Sequence, residues 1–262
     1  MDRLDLKPII EIKDLNMSYG TNNVLKGVDM TIYPGQIIGY IGPNGAGKST
    51  TVKIMLGLLD SYSGSVKIFG DDIKVNSTEY KKRIGYVPES GEIYDSLTAR
   101  EYLSFIGSLY QIDEKVIEVR GSELTRLFGI YENFDARISS YSKGMKQKLM
   151  IISSMIHDPD ILFLDEPITG LDANSVIVFK EILIGLASRG KTIFYSSHIM
   201  EVVEKLSDRI ILLSDGVIAA DGSFEELQSS SFDGSLQDIF SKVTGFSNHK
   251  DIAESFIAAI CG

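Results

Sequence analysis

The sequence predicts an α/β fold in which a helical segment interrupts a core that contains β-sheet. Three observations support this prediction. Strand-like runs occur near the start (IIEIKDL, VDMTI, QIIGYIG), where residues 21–23 and Pro34-Gly35 are predicted breaks, and they return later (ILFLDE, KTIFYSSH, RIILLSDGVIAADG). The stretch between them, from Ser96 to about His157, has the periodicity of helices. A glycine-rich turn follows QIIGYIG and leads into another helical pattern.

The elements of the first half follow in a clear order. The helix after the glycine-rich turn is predicted by apolar residues at a spacing near 3.6, namely Val52, Ile54, Met55, Leu58 and Leu59. Two strand-like runs, SVKIFGDDI and RIGYVPE, come next. Thr98 and Glu101 have the spacing of a capping box, which predicts that a helix begins there.

The second half returns to the core and ends in a tail. A helix is predicted over residues 174–188, between ILFLDE and KTIFYSSH. Asp215-Gly216 is a strong hairpin signal within the last strand-like run. Beyond Ser223, which has the capping partner Glu226, the pattern is helical and polar, with SSSFDGS as a loop.

Composition and charge exclude several classes of protein. The chain has 262 residues, of which 44% are hydrophobic and 24% charged, as in globular proteins. Its single cysteine, Cys261, cannot form an internal disulfide. Acidic residues interrupt the start MDRLDLKPIIEIKD, and no run of about 18 uncharged apolar residues occurs, so we expect neither a signal peptide nor a membrane span. The expected location is the cytoplasm or the cytoplasmic side of a larger assembly.

The charge balance also bears on nucleic acid as a partner. The formal net charge is −10, from 26 Lys and Arg against 36 Asp and Glu. A protein that binds phosphate backbones needs a basic surface. The basic clusters here, Lys81, Lys82, Arg83 and Lys143, Lys146, Lys148, are small. We therefore expect no nucleic-acid partner.

A phosphate-binding loop is the strongest single motif. Residues 42–49, GPNGAGKS, satisfy the pattern G-x-x-x-x-G-K-[ST] between a strand-like run and a helical pattern. The glycines let backbone N–H groups converge on phosphate oxygens, and the helix adds its positive end. Lys48 is expected to reach the β- and γ-phosphates, and Ser49 to place its hydroxyl on Mg²⁺. The alternative is a glycine-rich turn without a ligand. The predicted nucleotide-binding residues here are Gly42, Pro43, Asn44, Gly45, Ala46, Gly47, Lys48, Ser49 and Thr50.

Two carboxylates and a histidine end the later strand-like runs. Asp165 and Glu166 close ILFLDE, and consecutive strand residues point to opposite sides, so the two acids need not share a role. Asp165 fits the acid that organises Mg²⁺, and Glu166 can polarise the attacking water. His198 ends TIFYSSH, where the carboxyl edge of a sheet would place it beside the γ-phosphate. His157 and His249 lack such a context and are interpreted as structural.

Residues 141–147, YSKGMKQ, carry a family resemblance together with the motifs above. The segment resembles the signature loop of ABC-type ATPases, usually written LSGGQ, in a form common among ATP-binding subunits of ABC-2-like transporters. Order and spacing agree over nearly the whole chain: residues 87–89 occupy the Q-loop position, Asp165-Glu166 the Walker B pair, residues 169–172 the D-loop, and His198 the switch histidine. The segment SLQDIF, residues 235–240, resembles a C-terminal segment of the same family.

The resemblance implies a phosphate-loop NTPase core of ABC ATPase type with an antiparallel β subdomain and an inserted helical subdomain. Residues 1–88 and 158–222 would form the core, 89–157 the helical subdomain, and 223–262 a C-terminal helical extension. ATP and Mg²⁺ would bind there, with Glu166, His198 and Lys48 catalytic, and Ser49, Glu89 and Asp165 around the metal. Ser142, Gly144 and Asp172 would contact nucleotide held by a second subunit in a head-to-tail dimer. Ser142 can also cap the helix that starts near Lys143.

Two departures from the family pattern qualify individual residues. Glu89 stands where glutamine is usual, and a carboxylate at that position can still ligate Mg²⁺. Lys143 and Met145 replace the usual glycine and glutamine of the signature, and the role of Lys143 stays open. Tyr19 resembles the aromatic residue that stacks on adenine, with ordinary strand packing as the alternative.

The expected function is ATP hydrolysis that drives a membrane transporter. The partners would be a second copy of the chain or a homologous ATPase, and a separate membrane permease at the cytoplasmic face of the cell membrane. The segment from Glu89 to Asp95, which includes Glu92, Ile93 and Tyr94, is expected to form an acidic and apolar rim that receives a basic helix of the permease. The alternative function is a soluble ABC ATPase of a cytosolic assembly machine, such as one for iron–sulfur clusters. Substrate and direction of transport are not encoded here, because the permease selects the substrate.

Overall fold

The computed structural model describes residues 7–75, 78–91, 93–229, 234–245 and 249–261, and side chains are described in that part except at residues 249–251 and 261. Two sheets occur in the described part of the chain. Its strands are β1 (Ile10–Tyr19), β2 (Asn22–Ile32), β3 (Ile37–Ile41), β4 (Tyr62–Ile68), β5 (Asp71–Asp72), β6 (Ile84–Val87), β7 (Ile161–Asp165), β8 (Thr192–Ser196), β9 (Arg209–Ser214) and β10 (Val217–Gly222).

The helices of the described residues surround these sheets. They are α1 (Lys48–Met55), α2 (Ala99–Leu109), α3 (Glu114–Leu127), α4 (Lys143–Met155), α5 (Ala173–Ser188), α6 (Met200–Leu206), α7 (Phe224–Ser229), α8 (Leu236–Val243) and α9 (His249–Cys261). Among the residues that the structure describes, no helix has both the length and the apolar character needed to cross a bilayer.

The larger sheet has the order β10-β9-β3-β8-β7-β6 and is parallel apart from β10. The smaller sheet, β2-β1-β4-β5, is antiparallel. The helices α2, α3 and α4 are inserted between β6 and β7. The predicted fold class, a mixed sheet with an antiparallel β subdomain and a helical insertion, is therefore confirmed.

Both faces of the parallel sheet are covered, which explains the continuous apolar runs of its strands. In β3, Ile38 and Tyr40 belong to a buried cluster shared with the antiparallel sheet and α1. Ile37 and Ile41 belong to the opposite cluster, which contains residues of α2 to α6 and α8. This alternation positions the carboxyl end of β3, and with it the glycine-rich turn, between the two halves of the core.

Local signals account for several element boundaries. The predicted capping box is present, with Glu101 N donating to Thr98 Oγ1 at 3.1 Å and Thr98 N donating to Glu101 Oε2 at 2.8 Å. The predicted helix over residues 174–188 is α5, and the predicted hairpin at Asp215-Gly216 joins β9 to β10. In the predicted SSSFDGS loop, residues 230–233 lie outside the described residues.

Two features differ from the prediction. The break predicted at residues 21–23 is wrong for Asn22 and Asn23, because both belong to β2 and Asn22 pairs with Tyr19 across a tight turn. Gly20 adopts φ 60° there, which lets the chain reverse within two residues. Helix α6 was not predicted, since its seven residues span only about two turns of periodic pattern.

Candidate active site

A polar cleft of about 300 Å³ opens at the carboxyl ends of β3, β7 and β8. In parallel α/β sheets this edge is where ligands bind. Most of the predicted nucleotide, metal and catalytic residues meet in this cleft, although their sequence positions are far apart. The lining consists of Asn22, Val24, Asn44, Gly45, Gly47, Lys48, Ser49, Thr50, Glu89, Asp165, Glu166, Ser196 and His198.

The turn between β3 and α1 requires glycine at several positions. Gly45 and Gly47 have φ angles of 81° and 107°, a region that L side chains rarely adopt, and no atom lies within 4 Å of where a Cβ of Gly45 would be. Gly42 is needed for a different reason, because its Cβ would lie 2.1 Å from the carbonyl oxygen of Leu213. Pro43 and the buried Ala46 close the turn, since Ala46 N donates to Pro43 O at 3.1 Å.

Lys48 is held inside this turn. Its ammonium donates to the carbonyl oxygens of Gly42 at 2.6 Å and Pro43 at 3.1 Å. The next turn of α1 is fixed by Thr51, whose buried hydroxyl donates to Gly47 O at 3.0 Å and lies 3.0 Å from the hydroxyl of Tyr40. The position of the lysine is thus set by the loop and by a buried polar contact beneath it.

The acid pair lines one cleft because the backbone turns between its members. Asp165 is the last residue of β7, whereas Glu166 has φ 47°, in the left-handed region. Strand alternation therefore does not apply between these two residues, and that they have different roles stays a prediction. Glu166 N donates to Ser196 O at 2.9 Å and its carbonyl accepts from Thr169 N at 3.1 Å, so the turn is hydrogen-bonded on both sides. Strained backbone held in this way is common at functional sites.

The end of β8 supports both acids. The side chain of Ser196 hydrogen-bonds Asp165, and Ser197 Oγ donates to Glu166 Oε2 at 3.2 Å. His198 Nε2 lies 3.6 Å from Glu166 Oε1, with the histidine side chain 54% exposed and the glutamate 11% exposed. The base candidate is therefore largely buried and held, while the histidine side chain stays exposed.

Burial sets the electrostatics of the cleft. Desolvation raises the pKa of Asp165, against the hydrogen bond from Ser196 and the charge of Lys48. Desolvation likewise raises the pKa of Glu166, against His198 and Ser197. It lowers the pKa of Lys48, an effect that the charges of Asp165, Glu166 and Glu89 oppose. Positive and negative groups are thus brought together at a site that excludes water from part of their surface.

The donor set of the cleft suits Mg²⁺ better than a transition metal. No group of three or more His, Cys, Asp and Glu side chains arranged to hold a metal occurs among the described residues. Mg²⁺ is held in proteins by one or two carboxylates, waters and phosphate oxygens. The cleft brings one hydroxyl and two carboxylates to its lining for such a role, those of Ser49, Glu89 and Asp165.

The signature segment lies outside the cleft. Ser142 is exposed and caps α4, accepting from Met145 N at 3.2 Å, as predicted. Gly144 follows it, and a Cβ there would lie 2.7 Å from the carbonyl oxygen of Gly170, so α4 and the D-loop approach closely. Gln147 also links α4 to the loop after Glu166, since its buried amide donates to Pro167 O at 2.8 Å.

Asp172 and Tyr19 also lie outside the cleft lining. Asp172 begins α5 as its N-cap: its carboxylate accepts from Ser175 N at 2.9 Å and from Ser175 Oγ at 2.6 Å, and these bonds hold its pKa well below the usual range. Lys148 Nζ lies 3.1 Å from the same carboxylate. Tyr19 is 48% exposed at the end of β1, which argues against core packing, and it pairs with Asn22, a lining residue.

Four residues of the cleft region were not predicted from the sequence: Asn22, Val24, Ser196 and Ser197. The two serines had a signal, because they directly precede His198 at the end of a buried strand. Asn22 and Val24 had no such signal in the sequence, because only the hairpin of β1 and β2 brings them to the phosphate loop.

Two histidines were interpreted as structural. The ring of His157 stacks on that of Tyr110 with 3.7 Å between the ring centroids, and its Nε2 lies 2.9 Å from Ile84 O. The side chain of His249 is outside the described residues.

Comparison with known proteins identifies the class. Residues 25–169 match the ABC transporter family. The chain is 38% identical over 82% of its length to 88% of the ABC transporter ATP-binding protein NatA of Bacillus subtilis (strain 168). It is 33% identical over 90% of its length to 96% of the ABC-type transporter ATP-binding protein EcsA of the same organism. A solved structure of an ATP binding subunit of an ABC transporter superposes with a TM-score of 0.85 at 31% identity, covering 90% of this chain and 99% of that one.

The chain therefore belongs to the ABC transporter family, and the predicted resemblance to its ATP-binding subunits is confirmed. It binds ATP, and its hydrolysis of ATP drives transport. The relatives are transporter subunits, which decides against the soluble assembly ATPase as the alternative function.

Proposed function

We propose that this subunit hydrolyses ATP at composite sites in a head-to-tail dimer and thereby drives a separate membrane permease. The observation that carries this proposal is the separation of the motifs. Lys48, Glu166 and His198 line the cleft, whereas Ser142 and Asp172 are exposed elsewhere on the surface of the chain. A second subunit is needed to bring such residues to a nucleotide in this cleft.

Each cleft residue has a role that follows from its position. Lys48, fixed beneath the glycine turn, neutralises charge on the β- and γ-phosphates. Glu166 accepts a proton from the attacking water, and Ser197 together with His198 keeps its carboxylate oriented. The proton moves to Glu166 as the water oxygen bonds phosphorus and the bond from the γ-phosphorus to the bridging oxygen breaks, which releases ADP and phosphate.

Metal binding is proposed for Ser49, Glu89 and Asp165. Mg²⁺ held there would supply positive charge to the phosphate oxygens. The replacement of glutamine by Glu89 adds a hard oxygen ligand that suits this cation. The adenine ring of ATP would stack on Tyr19, which is exposed at the end of β1.

The second half of the composite site would come from the partner copy. Ser142 presents a hydroxyl and the N-terminus of α4, a helix of 13 residues, and helix N-termini favour phosphate oxygens. Gly144 keeps this surface close to the D-loop, and Asp172 stands at its edge. With −10 on each copy, the chains repel at low ionic strength, so nucleotide is expected to hold them together.

The permease would dock in an apolar groove between the core and the helical insertion. The groove has a volume of about 310 Å³, and two of its lining residues, Leu58 and Leu109, are each 62% exposed. Tyr94 lies beside it, with its ring 6.5 Å from that of the lining residue Tyr102. Large apolar side chains exposed together are typical of an interface.

The acidic rim expected at this groove is wrong in part. Asp95 is paired with Lys146 of α4 at 2.8 Å, and Glu89 lines the nucleotide cleft, so neither is an unpaired acid beside the groove. The sequence did not predict this ion pair, because Asp95 and Lys146 are 51 positions apart. Glu92 lies outside the described residues. Apolar anchoring rather than charge is therefore proposed as the main contribution to docking.

Docking to a permease would place this subunit at the cytoplasmic face of the cell membrane. The proposed division is residues 1–88 and 158–222 for the ATP-binding core, 89–157 for the helical subdomain and 223–262 for the C-terminal extension. The form YSKGMKQ and the presence of Glu89 support an ABC-2-like transporter.

Glu166→Gln tests the proposed chemistry. Loss of the proton acceptor is expected to lower the rate of ATP hydrolysis by about 10²- to 10⁴-fold, while the affinity for ATP stays close to wild type. Phosphate release and calorimetric ATP binding measure the two quantities. Glu123→Gln, an exposed exchange of the same kind on α3, is the control and is expected to change neither. Wild-type turnover by Glu166→Gln would refute the assignment.

A further inference from the structure

The SLQDIF segment, residues 235–240, is built into the core rather than added to its surface. Ser235 and Asp238 form a capping box at the start of α8. Leu236 and Ile239 are fully buried in the same apolar cluster as Val203 and Leu206 of α6. Capping and burial together fix where this short helix begins.

Helix α6 contacts α8 through a polar bond as well as through the shared cluster. Glu204 Oε2 accepts a hydrogen bond from Leu236 N at 3.0 Å in partly buried surroundings. This carboxylate faces the N-terminus of α8, where negative charge is favoured. Glu204 of α6 thus holds Leu236, the first residue of α8.

Helix α6 depends on tertiary contacts for its position, and four of its residues are buried, namely Met200, Val202, Val203 and Leu206. It has seven residues, its N-cap Ile199 makes no side-chain capping bond, and helices this short are marginal without tertiary contacts. On the side of the sheet it packs closely on β3, because a Cβ of Gly39 would lie 2.5 Å from Val203. Helix α6 also packs on α8 through the buried cluster that they share.

His198 lies directly before this helix. Its side chain is 54% exposed, so the backbone around it, rather than packing of its own ring, determines where the ring stands. One surface pocket is lined by residues of the histidine loop, of α6 and of the start of α8: His198, Ile199, Met200, Glu201, Glu204, Ser235 and Gln237. The histidine loop and the start of α8 are therefore neighbours.

We propose that Glu204, through its bond to the start of α8, is a positioning residue that holds α6 and thereby His198 at the cleft. The proposal rests on the proposed role of His198 in hydrolysis. The SLQDIF segment, which is not part of the nucleotide-binding motifs, thereby has a function. Through it the C-terminal extension supports the catalytic geometry of its own subunit.

The prediction concerns turnover rather than nucleotide affinity. Glu204→Ala is expected to lower kcat for ATP hydrolysis about tenfold, because misplacing a reacting group by a fraction of an ångström to 1 Å costs up to about 100-fold. KM for ATP stays within about twofold, since the phosphate loop is untouched. Glu204→Gln retains an acceptor oxygen for Leu236 N and is expected to stay near the wild-type kcat.

Three comparisons in the full chain decide the outcome. Glu201→Ala on the same helix is the control, because Glu201 is exposed and pairs with the exposed Lys205 within α6, and the variant is expected to keep the wild-type kcat. Ser235→Ala, which removes the capping box, is expected to lower kcat in the same way as Glu204→Ala. The double variant is expected to be no slower than the worse single variant.

His198→Ala separates failure of the inference from failure of the proposed function. If His198→Ala is inactive while Glu204→Ala turns over at the wild-type rate, the positioning role is refuted and the proposed function stands. If His198→Ala itself keeps wild-type turnover, the proposed role of His198 in hydrolysis is refuted together with the positioning role of Glu204. A parallel rise in KM and fall in kcat for Glu204→Ala, unrescued by Glu204→Gln, would show a general structural defect and also refute the positioning role.

Discussion

The buried amide of Gln147 is expected to stabilise the contact between the signature helix and the loop after Glu166. Gln147 is 6% exposed, and its amide donates to the carbonyl oxygen of the buried Pro167 at 2.8 Å. Gln147→Met removes the donor while largely filling the same volume. The carbonyl oxygen of Pro167 then loses this hydrogen bond without gaining access to water.

The size of the effect follows from that loss. Removing one partner of a buried hydrogen bond costs about 1–3 kcal/mol in the free energy of unfolding. For a protein of this length, each kcal/mol shifts Tm by roughly 2–4 °C, so the variant is expected to unfold about 2–12 °C lower.

Thermal and urea unfolding of both proteins measure this difference. Gln228→Met is the matched control, because Gln228 also donates its amide to a backbone carbonyl, that of Gly234 at 3.0 Å, but at an exposed position. Its free energy of unfolding is expected to change by less than about 0.5 kcal/mol. If Gln147→Met were as stable as this control, the buried bond would not stabilise the contact as argued.

The remaining predictions concern the loop and the groove. Lys48→Ala is expected to weaken ATP binding by roughly 10- to 100-fold in calorimetry, through loss of charge-assisted bonds to phosphate; unchanged affinity would contradict this. Gly42→Ala should lose ATP binding or folding, because its Cβ would collide with the carbonyl of Leu213, whereas normal binding would refute the steric argument. Leu109→Glu in the groove should reduce co-purification with the permease, whereas Leu127→Glu, 75% exposed outside the groove lining, should not; equal recovery would exclude the groove.

Motifs that lie within a few residues of each other could be predicted from the sequence. The phosphate loop, the caps at Thr98 and Ser142, and the acids at the end of β7 depend on local spacing, and the structure has each of them in the expected element. Local spacing does not account for every placement. The left-handed backbone of Glu166 places both acids in one cleft, which strand alternation does not predict.

Contacts between distant segments could not be predicted in this way. The approach of Asn22 to the phosphate loop depends on a hairpin, and the pair between Lys146 and Asp95 depends on how α4 packs in the insertion. The bond from Leu236 to Glu204 spans 32 positions. Such contacts are set by tertiary packing, which composition and periodicity do not encode residue by residue.

The shared nucleotide site is tested most directly by measuring the mass of Glu166→Gln in solution by light scattering, with and without Mg-ATP. Since the variant binds ATP but does not cleave it, a stable dimer is expected with nucleotide and a monomer or weak dimer without it. Adding Ser142→Arg, which places a bulky side chain on the exposed signature surface, is expected to abolish the dimer, whereas adding Ser188→Arg at the far end of α5 is not. A stable dimer without nucleotide, or one that tolerates Ser142→Arg, would contradict the composite site.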